Sequence, residues 1–275
     1  MKTLLSIVIY IGLTVAVVYF CKKRKIGFDL GLLISIFFSP VPAFLFAILN
    51  FEQKTISLIG KTLAVLSLLY VVLAGFLVPV PAQPILHETI RNLYFHVPMW
   101  FSMMTILFVS LYYSIKYLRD NDMQSDIIAN QAANAGMLVG TLGLITGSLW
   151  ARYTWGAWWV ADTKLNGAAI TMLIYIAYFV LRGSIDEEQK RARISAVYNI
   201  FAYVLLIVFL MILPRMNDSL HPGNGGNPGF NSYDLDNHMR MVFYPAVIGW
   251  ILLTVWIFTL RVRIEKLNRR KLFNE

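Results

Sequence analysis

Long apolar runs separated by short polar segments extend along almost the whole sequence. The clear runs cover residues 3–21, 57–79, 93–117, 133–150, 167–182, 195–214 and 242–261. Most of them are close to the roughly 20 residues that a helix needs to cross the hydrocarbon core of a bilayer. The pattern therefore predicts an all-α fold, a polytopic bundle of transmembrane helices.

The N-terminal part differs from the rest. Residues 29–50 are apolar too, but Ser39-Pro40-Val41-Pro42 interrupts them, and proline opposes helix continuity. We expect residues 1–52 to form a transmembrane helix followed by a broken helix or re-entrant hairpin, and residues 53–275 to form a six-helix domain. The first run is longer than the apolar part of a signal peptide and no small-residue cleavage site follows it, which predicts a retained helix.

Basic residues are distributed unequally between alternate loops. By the positive-inside rule, the richer set of loops faces the cytoplasm. This places the loops at 80–92, 151–166 and 215–241 outside and the C-terminus in the cytoplasm. The richer set has twelve basic residues, namely Lys116, Arg119, Arg182, Lys190, Arg191, Arg193, Arg261, Arg263, Lys266, Arg269, Arg270 and Lys271, and the other has five, namely Arg91, Arg152, Lys164, Arg215 and Arg240.

The composition agrees with a chain whose solvent is mostly lipid. Hydrophobic residues make up 58% of the chain and charged residues 14%, against about 25% charged residues in a typical soluble domain. The net charge of +9 does not indicate nucleic-acid binding, because the 24 Lys and Arg lie between apolar runs and form no basic motif. The single cysteine, Cys21, excludes an intramolecular disulfide, a CxxC pair and a CxxCH haem-attachment motif.

The most unusual chemistry lies in an outer segment, residues 150–162, which we call the tryptophan-rich segment. One or two tryptophans would fit an aromatic belt at the membrane boundary. Four of them, near Arg152 and Lys164, form a rigid apolar surface with N–H donors, which suits a large flat ligand with an acidic edge. These four of the seven tryptophans are Trp150, Trp155, Trp158 and Trp159.

All four histidines lie on the predicted outer side or at its boundary. His96 is near the start of the run 93–117, and His221 follows the run 195–214 by a few residues. Two neutral imidazoles from different helix ends can bind an iron from opposite faces, as axial haem ligands do. His87 and His238 are interpreted as solvated or locally hydrogen-bonded side chains. A zinc site is disfavoured, because the sequence has no HExxH motif and no close His/Cys pair.

Charged residues near the tryptophan-rich segment have two interpretations. Arginine binds carboxylates through paired, charge-assisted hydrogen bonds, so the outer basic residues are candidates for contacts with haem propionates. Ordinary surface charge is the alternative for each of them. Asp162 stands before an apolar run, where a lone acid is expected to cap the helix or pair with a neighbouring Arg or Lys.

Three motifs resemble a known family. HVPMWFSMM at 96–104, GTLGLITGSLWARYTWGAWWVADTKL at 140–165 and NDSLHPG at 217–223 are similar to the haem-handling proteins of cytochrome c biogenesis. The greatest similarity is to the cytochrome c maturation protein C (haem exporter C) family. The resemblance covers roughly residues 55–262 and leaves residues 1–50 outside.

The resemblance implies a function and a set of site residues. It implies non-covalent haem at the periplasmic face of the bacterial inner membrane, and delivery to a periplasmic chaperone or to the cytochrome c ligation proteins. His96 and His221 become the axial ligands of the iron. The segment that contacts the haem becomes Trp155, Gly156, Trp158, Trp159 and Asp162, with Arg91, Arg152 and Arg215 as candidate propionate contacts.

The sequence also departs from the family pattern. Ala161 replaces the third tryptophan of the WGxWWxWD motif, and Thr163-Lys164 stands where Ala-Arg is usual. After HVP, the tryptophan comes one place early, at Trp100. These differences affect the expected strength of haem binding more than the choice of ligand.

Two other functional classes remain. A b-type cytochrome subunit usually has its histidine ligands within the spans, and no histidine lies in the middle of a run here. A haem-free transporter is favoured by charges in mid-membrane, and none is evident. A haem-binding and transfer protein without catalytic activity of its own is the leading hypothesis.

Overall fold

The structure is a computed structural model that describes residues 12, 14–16, 19, 54–81, 85–221 and 235–274. The chain divides into two compact units, Met1–Thr62 and Leu63–Glu275. Apart from five helical positions between 12 and 19, the predicted helix at 3–21 and the broken run at 29–50 lie outside the described residues. The predicted organisation of residues 1–52 therefore stays a prediction.

The described part of the chain is built from helices. Within it, six stretches are long and apolar enough to cross a membrane, and each contains or overlaps one of the predicted runs. The all-α, multi-span prediction is thereby confirmed. In chain order the elements are α1 (Lys54–Leu77), a 3₁₀ helix (His87–Asn92), α2 (Leu93–Asp120), α3 (Met123–Trp155), α4 (Thr163–Gly183), α5 (Glu188–Ile207), a π-helix (Val208–Ile212), α6 (Leu213–Met216) and α7 (Asn237–Asn274).

Several helices extend well beyond the apolar runs that predicted them. Helix α3 begins at Met123, ten residues before the run 133–150, because Asp122 caps it and accepts hydrogen bonds from the backbone N–H groups of Gln124 (3.0 Å) and Ser125 (3.2 Å). Helix α2 ends just before Asn121, which has a left-handed backbone with φ 50°. An apolar run corresponds to the part of a helix that lies in lipid, whereas the capping residues determine where the helix begins and ends.

Polar side chains inside the bundle are paired with one another. Arg182 of α4 donates to both carboxylate oxygens of Asp126 of α3, at 2.7 and 2.6 Å; the Asp126 side chain is buried and that of Arg182 is 11% exposed. Asn199 of α5 donates to the hydroxyls of Ser110 (2.7 Å) and Ser114 (2.8 Å) of α2. Such contacts join helices where apolar side chains alone give little preference between lipid and protein.

One end of the bundle brings together several chain segments. Asn92, at the end of the 3₁₀ helix, donates to the carbonyl of Thr146 in α3 at 3.0 Å. Thr163, at the start of α4, donates to the carbonyl of Asp218, which follows α6, at 3.3 Å. The end of α3, the start of α2, the start of α4 and the segment after α6 therefore meet here. This is where the tryptophan-rich segment lies.

Candidate functional site

His96 lies in the second turn of α2 and faces α3. Its Nδ1 is 3.0 Å from the carbonyl oxygen of Gly143 and 3.2 Å from Oγ1 of Thr146. A carbonyl oxygen only accepts hydrogen bonds, so this contact assigns the proton to Nδ1 and the lone pair to Nε2. Nε2 is then the nitrogen of His96 that can bind a metal.

Close packing against α3 fixes the plane of the His96 ring. A Cβ atom at Gly147 would lie 2.6 Å from Cε1 of His96, so only glycine allows the imidazole to approach the helix this closely. Two tryptophans contact the ring edge to face, Trp150 at 5.9 Å and Trp100 at 6.2 Å between ring centroids. The imidazole is held by a hydrogen bond on one side and by aromatic rings around it.

Asp162 begins α4 as its N-cap. Its Oδ1 accepts hydrogen bonds from the backbone N–H groups of Lys164 (2.9 Å) and Leu165 (3.3 Å). These are two of the N–H groups that a helix leaves without a partner at its start. The capping role expected from its position in the sequence is confirmed, and it explains why α4 starts at Thr163.

The same carboxylate also binds the segment that follows α6. Oδ2 accepts from the hydroxyl of Ser219 (2.9 Å) and the backbone N–H of Leu220 (2.8 Å). Nδ1 of His221 lies 3.1 Å from Oδ1. Since a carboxylate is an acceptor, Nδ1 donates and Nε2 carries the lone pair, the arrangement that orients most metal-binding histidines.

The hydrogen bonds around Asp162 keep it ionised. Its side chain is buried, and burial by itself would raise its pKa. Hydrogen bonds from His221, from the backbone of Leu220 and from Ser219 outweigh burial and hold the pKa of Asp162 below its usual range. The carboxylate therefore stays charged from neutral pH down to strongly acidic conditions.

The two histidines lie at the same end of α3. Trp150 contacts His96, and Trp155 contacts His221 with 5.0 Å between ring centroids. Five residues along a helix correspond to about 7.5 Å. The structure thus brings the two predicted ligands to the same end of α3, each with its Nδ1 hydrogen-bonded to an oxygen.

The tryptophans of the tryptophan-rich segment do not share one environment. Trp158 and Trp159 are 60% and 41% exposed, and Trp159 donates to the side chain of Asn166 at 3.2 Å. Gly156, whose φ of 78° favours glycine, ends α3 and turns the chain towards them. Trp150 instead donates to the hydroxyl of Thr89 at 3.1 Å and supports His96.

The candidate arginines also differ. Arg91 donates to the carbonyl oxygens of Gly75 (2.8 Å) and Val78 (2.7 Å) at the end of α1 and pairs with Glu88 at 2.6 Å. These contacts give it a structural task at the end of a helix. Arg152 is exposed and donates to the carbonyl of Gly156, and Arg215 is exposed on α6. A contact between any of them and a propionate stays a prediction.

Sequence reasoning missed the residues that hold His96. They recur along one face of α3 at the spacing i, i+3, i+4 and i+7, a pattern that places side chains on one side of a helix. A search for small residues at this spacing that lead into the tryptophan-rich segment would have found them: Gly143, Thr146 and Gly147, followed by Trp150.

The donor set fits haem. The described residues contain no group of three or more His, Cys, Asp or Glu that could hold a bare metal ion. Haem iron already has four porphyrin nitrogens and takes its remaining ligands from the axial directions, where neutral imidazole is a common donor. Two oriented imidazoles and exposed indole rings are the groups that such a molecule needs.

Comparison with known proteins points in the same direction. The sequence model of the family described as "Heme exporter protein C" matches residues 30–274. Its match begins earlier than the motifs suggested, so the expectation that residues 1–50 lie outside the resemblance is wrong from residue 30 onward. Its match also extends past residue 262.

Individual relatives have the same description. "Heme exporter protein C" of Rhodobacter capsulatus is 29% identical over 199 residues, 71% of this chain and 79% of the relative. The protein of that name from Paracoccus denitrificans is 26% identical over 198 residues, 71% and 80% of the two chains. The Escherichia coli K12 protein of that name is 23% identical over 182 residues, 63% and 69% of the two chains.

Proposed function

The chain belongs to the haem exporter protein C family, and on that premise we propose that it binds haem at the outer face of the bacterial inner membrane and delivers it for cytochrome c assembly. The haem is cargo, held without a covalent bond. The axial ligands are Nε2 of His96 and Nε2 of His221. The protein binds and transfers this cargo and carries out no reaction of its own on it.

The observation that carries the proposal is the matched orientation of the two imidazoles. Each donates its Nδ1 proton to a fixed oxygen, that of Gly143 for His96 and that of Asp162 for His221. A hydrogen bond of this kind fixes the tautomer and increases the basicity of the ligating nitrogen. A single histidine with such a partner is common. Two of them, both beside the C-terminal end of α3, support an iron site.

Exposed groups around the imidazoles fit the remainder of the haem. The faces of Trp158 and Trp159 offer apolar contact to the porphyrin ring. Arg152 and Arg215 are exposed and can contact the propionates. A site with this much exposure suits transfer, because a receiving protein can reach the haem without unfolding the bundle. We propose a periplasmic chaperone or the ligation proteins as the receiver.

Haem loading tests the function directly. Protein purified in mild detergent after expression with ample haem should show a low-spin Soret and α-band spectrum, because two imidazoles bind the iron. The haem should then pass to an excess of apomyoglobin, which a resident b-type haem resists. Protein that contains no haem would refute the proposal, and haem that never exchanges would favour the b-type cytochrome instead.

Reporter fusions test the outward orientation. The unequal distribution of basic residues supports a cytoplasmic position for 122 and 187 and an outer position for 225. Fusions of alkaline phosphatase and green fluorescent protein should therefore give phosphatase activity at 225 and fluorescence at 122 and 187. Fluorescence at 225 would contradict an outer site while leaving the haem ligands themselves open to the spectroscopic test.

A further inference from the structure

A cleft lies at the end of the bundle opposite to the histidines. It has a volume of about 480 Å³ and is formed by the first turns of α3, the start of α5 and the last turns of α7. Its lining combines apolar and cationic side chains with Gln124 and the carboxylate of Glu188. Met123 and Ile127 of α3 are apolar, while Lys266, Arg269 and Arg270 of α7 are cationic. The haem site uses none of them.

The cations of this cleft are not equally compensated. Arg269 donates to Glu188 and, at 3.0 Å, to Glu265, so two carboxylates surround its guanidinium. Lys266 and Arg270 have no ion pair with any carboxylate among the described residues. The cleft therefore has uncompensated positive charge, and its most favourable occupant is an anion.

The cleft also lies near the level of the lipid headgroups. The apolar run of α7 ends at residue 261, and Lys266 and Arg270 follow about 8–14 Å further along the helix axis. On the same turns Ile264 and Leu267 are 57% and 56% exposed. Exposed apolar side chains between cationic ones are typical of a helix at the boundary between lipid and water.

We propose that this cleft binds the phosphate of an anionic phospholipid. Lys266 and Arg270 contact the phosphate, and Met123 contacts the glycerol and the first carbons of the acyl chains. Basic pockets between transmembrane helices are suited to such headgroups. An acidic protein segment would match the charge, but the apolar lining and the exposed Ile264 and Leu267 favour an amphiphile. The lipid joins α3 to α7 and supports the bundle from the end opposite to the haem site.

Native mass spectrometry of the full-length protein tests this proposal. Delipidated protein in detergent is titrated with phosphatidylglycerol, and the K266Q/R270Q double variant is compared with wild type. Each cation near an anionic lipid surface contributes to the binding free energy. The loss of two cations should therefore weaken the affinity for the lipid roughly 30-fold. The matched control is R263Q/K271Q, which removes two cations of α7 that do not line the cleft, and it should bind as wild type does.

Further arms of the experiment distinguish a phospholipid site from general charge attraction and from a site for any small anion. Equal weakening in both double variants would show general charge attraction and overturn the cleft as a site. Binding of phosphatidylcholine as strong as that of phosphatidylglycerol would also overturn the proposal. Displacement of the lipid by millimolar inorganic phosphate or by an acidic peptide would overturn it as well. If K266Q/R270Q loses its helical circular dichroism, the single variants K266Q and R270Q replace it, and each should bind phosphatidylglycerol more weakly than R263Q does. Haem is absent from every arm, so failure here leaves the proposed haem function untouched.

Discussion

Replacing His96 or His221 by alanine is expected to abolish the low-spin spectrum of the haem-loaded protein. Each substitution removes one axial nitrogen and leaves a single imidazole on the iron. Loss of a hydrogen bond to a metal ligand alone costs about 10–100-fold in affinity, so loss of the ligand should cost at least about 100-fold. The measurements are the Soret position and the haem dissociation constant of each purified variant.

Two control variants sharpen this experiment. His238 is exposed at the start of α7 and makes neither of the site contacts, so His238→Ala should keep the wild-type spectrum. Gly147→Ala keeps His96 but places a Cβ 2.6 Å from Cε1, which should displace the ring and weaken binding by less than His96→Ala does. An unchanged spectrum in both His96→Ala and His221→Ala would refute the ligand assignment.

Replacing Asp162 by asparagine is expected to release the segment from Ser219 to His221 from α4. The variant keeps an acceptor for the helix cap but loses the charge and the second acceptor oxygen. Hydrogen bonds to charged groups each contribute about 1.5–3 kcal/mol, so amide exchange at 219–221 should become faster. Haem affinity should fall about 10–100-fold, because the segment that carries His221 loses the oxygen that binds Ser219 and Leu220, and His221 keeps only a neutral acceptor.

Asp122→Asn provides the matched control. Asp122 caps α3 as Asp162 caps α4, but its side chain contacts Gln124 and Ser125 and no histidine. Both variants should keep most of the stability of the cap, because asparagine and aspartate cap helices about equally well. Asp162→Asn alone should change the haem spectrum. Equal effects of the two substitutions on haem affinity would show that Asp162 acts only on helix stability.

The low pKa of Asp162 also predicts how amide exchange in the segment 219–221 depends on pH. A carboxyl group with a depressed folded-state pKa contributes stability above its unfolded pKa, about 3.9. That contribution is lost as the pH falls below this value towards the folded-state pKa. The wild-type segment should therefore keep its slow amide exchange at mildly acidic pH and lose it only in strong acid. In Asp162→Asn this acid-dependent step should be missing.

The buried carboxylate has two tasks, capping α4 and holding the segment that follows α6. Oδ1 accepts from the first backbone N–H groups of α4 and from Nδ1 of His221, and Oδ2 accepts from Ser219 and Leu220. Asp162 accepts from all five donors because it has two oxygens. This explains why an acid, and not the shorter serine or threonine, suits the position.

The spans and their order could be predicted from the sequence. Lipid imposes a length and an apolar character on every crossing helix, and both are local properties of the chain. The same is true of Asp162 as a cap, since a cap acts on the residues that follow it. The grouping of His96, His221 and the tryptophan-rich segment on one side came from charge counting and from the family resemblance.

The partners of these residues could not be predicted in the same way. Asp162 binds His221 across 59 positions, and His96 binds Gly143 across 47. Arg91 looked like a contact for an acidic ligand, yet it caps the end of α1. Trp150 looked like part of an exposed aromatic surface, yet it packs against His96. Each of these contacts depends on which helices lie side by side.

The sequence by itself therefore determined the class of fold, the helical spans and the residue types available for chemistry, because burial in lipid and helix capping act over a few neighbouring residues. The tertiary structure decided which nitrogen of each histidine carries its proton, which tryptophans are exposed and which arginines serve the fold. Those properties arise from atoms that are distant in the chain and meet only when α2, α3, α4 and the segment after α6 pack together.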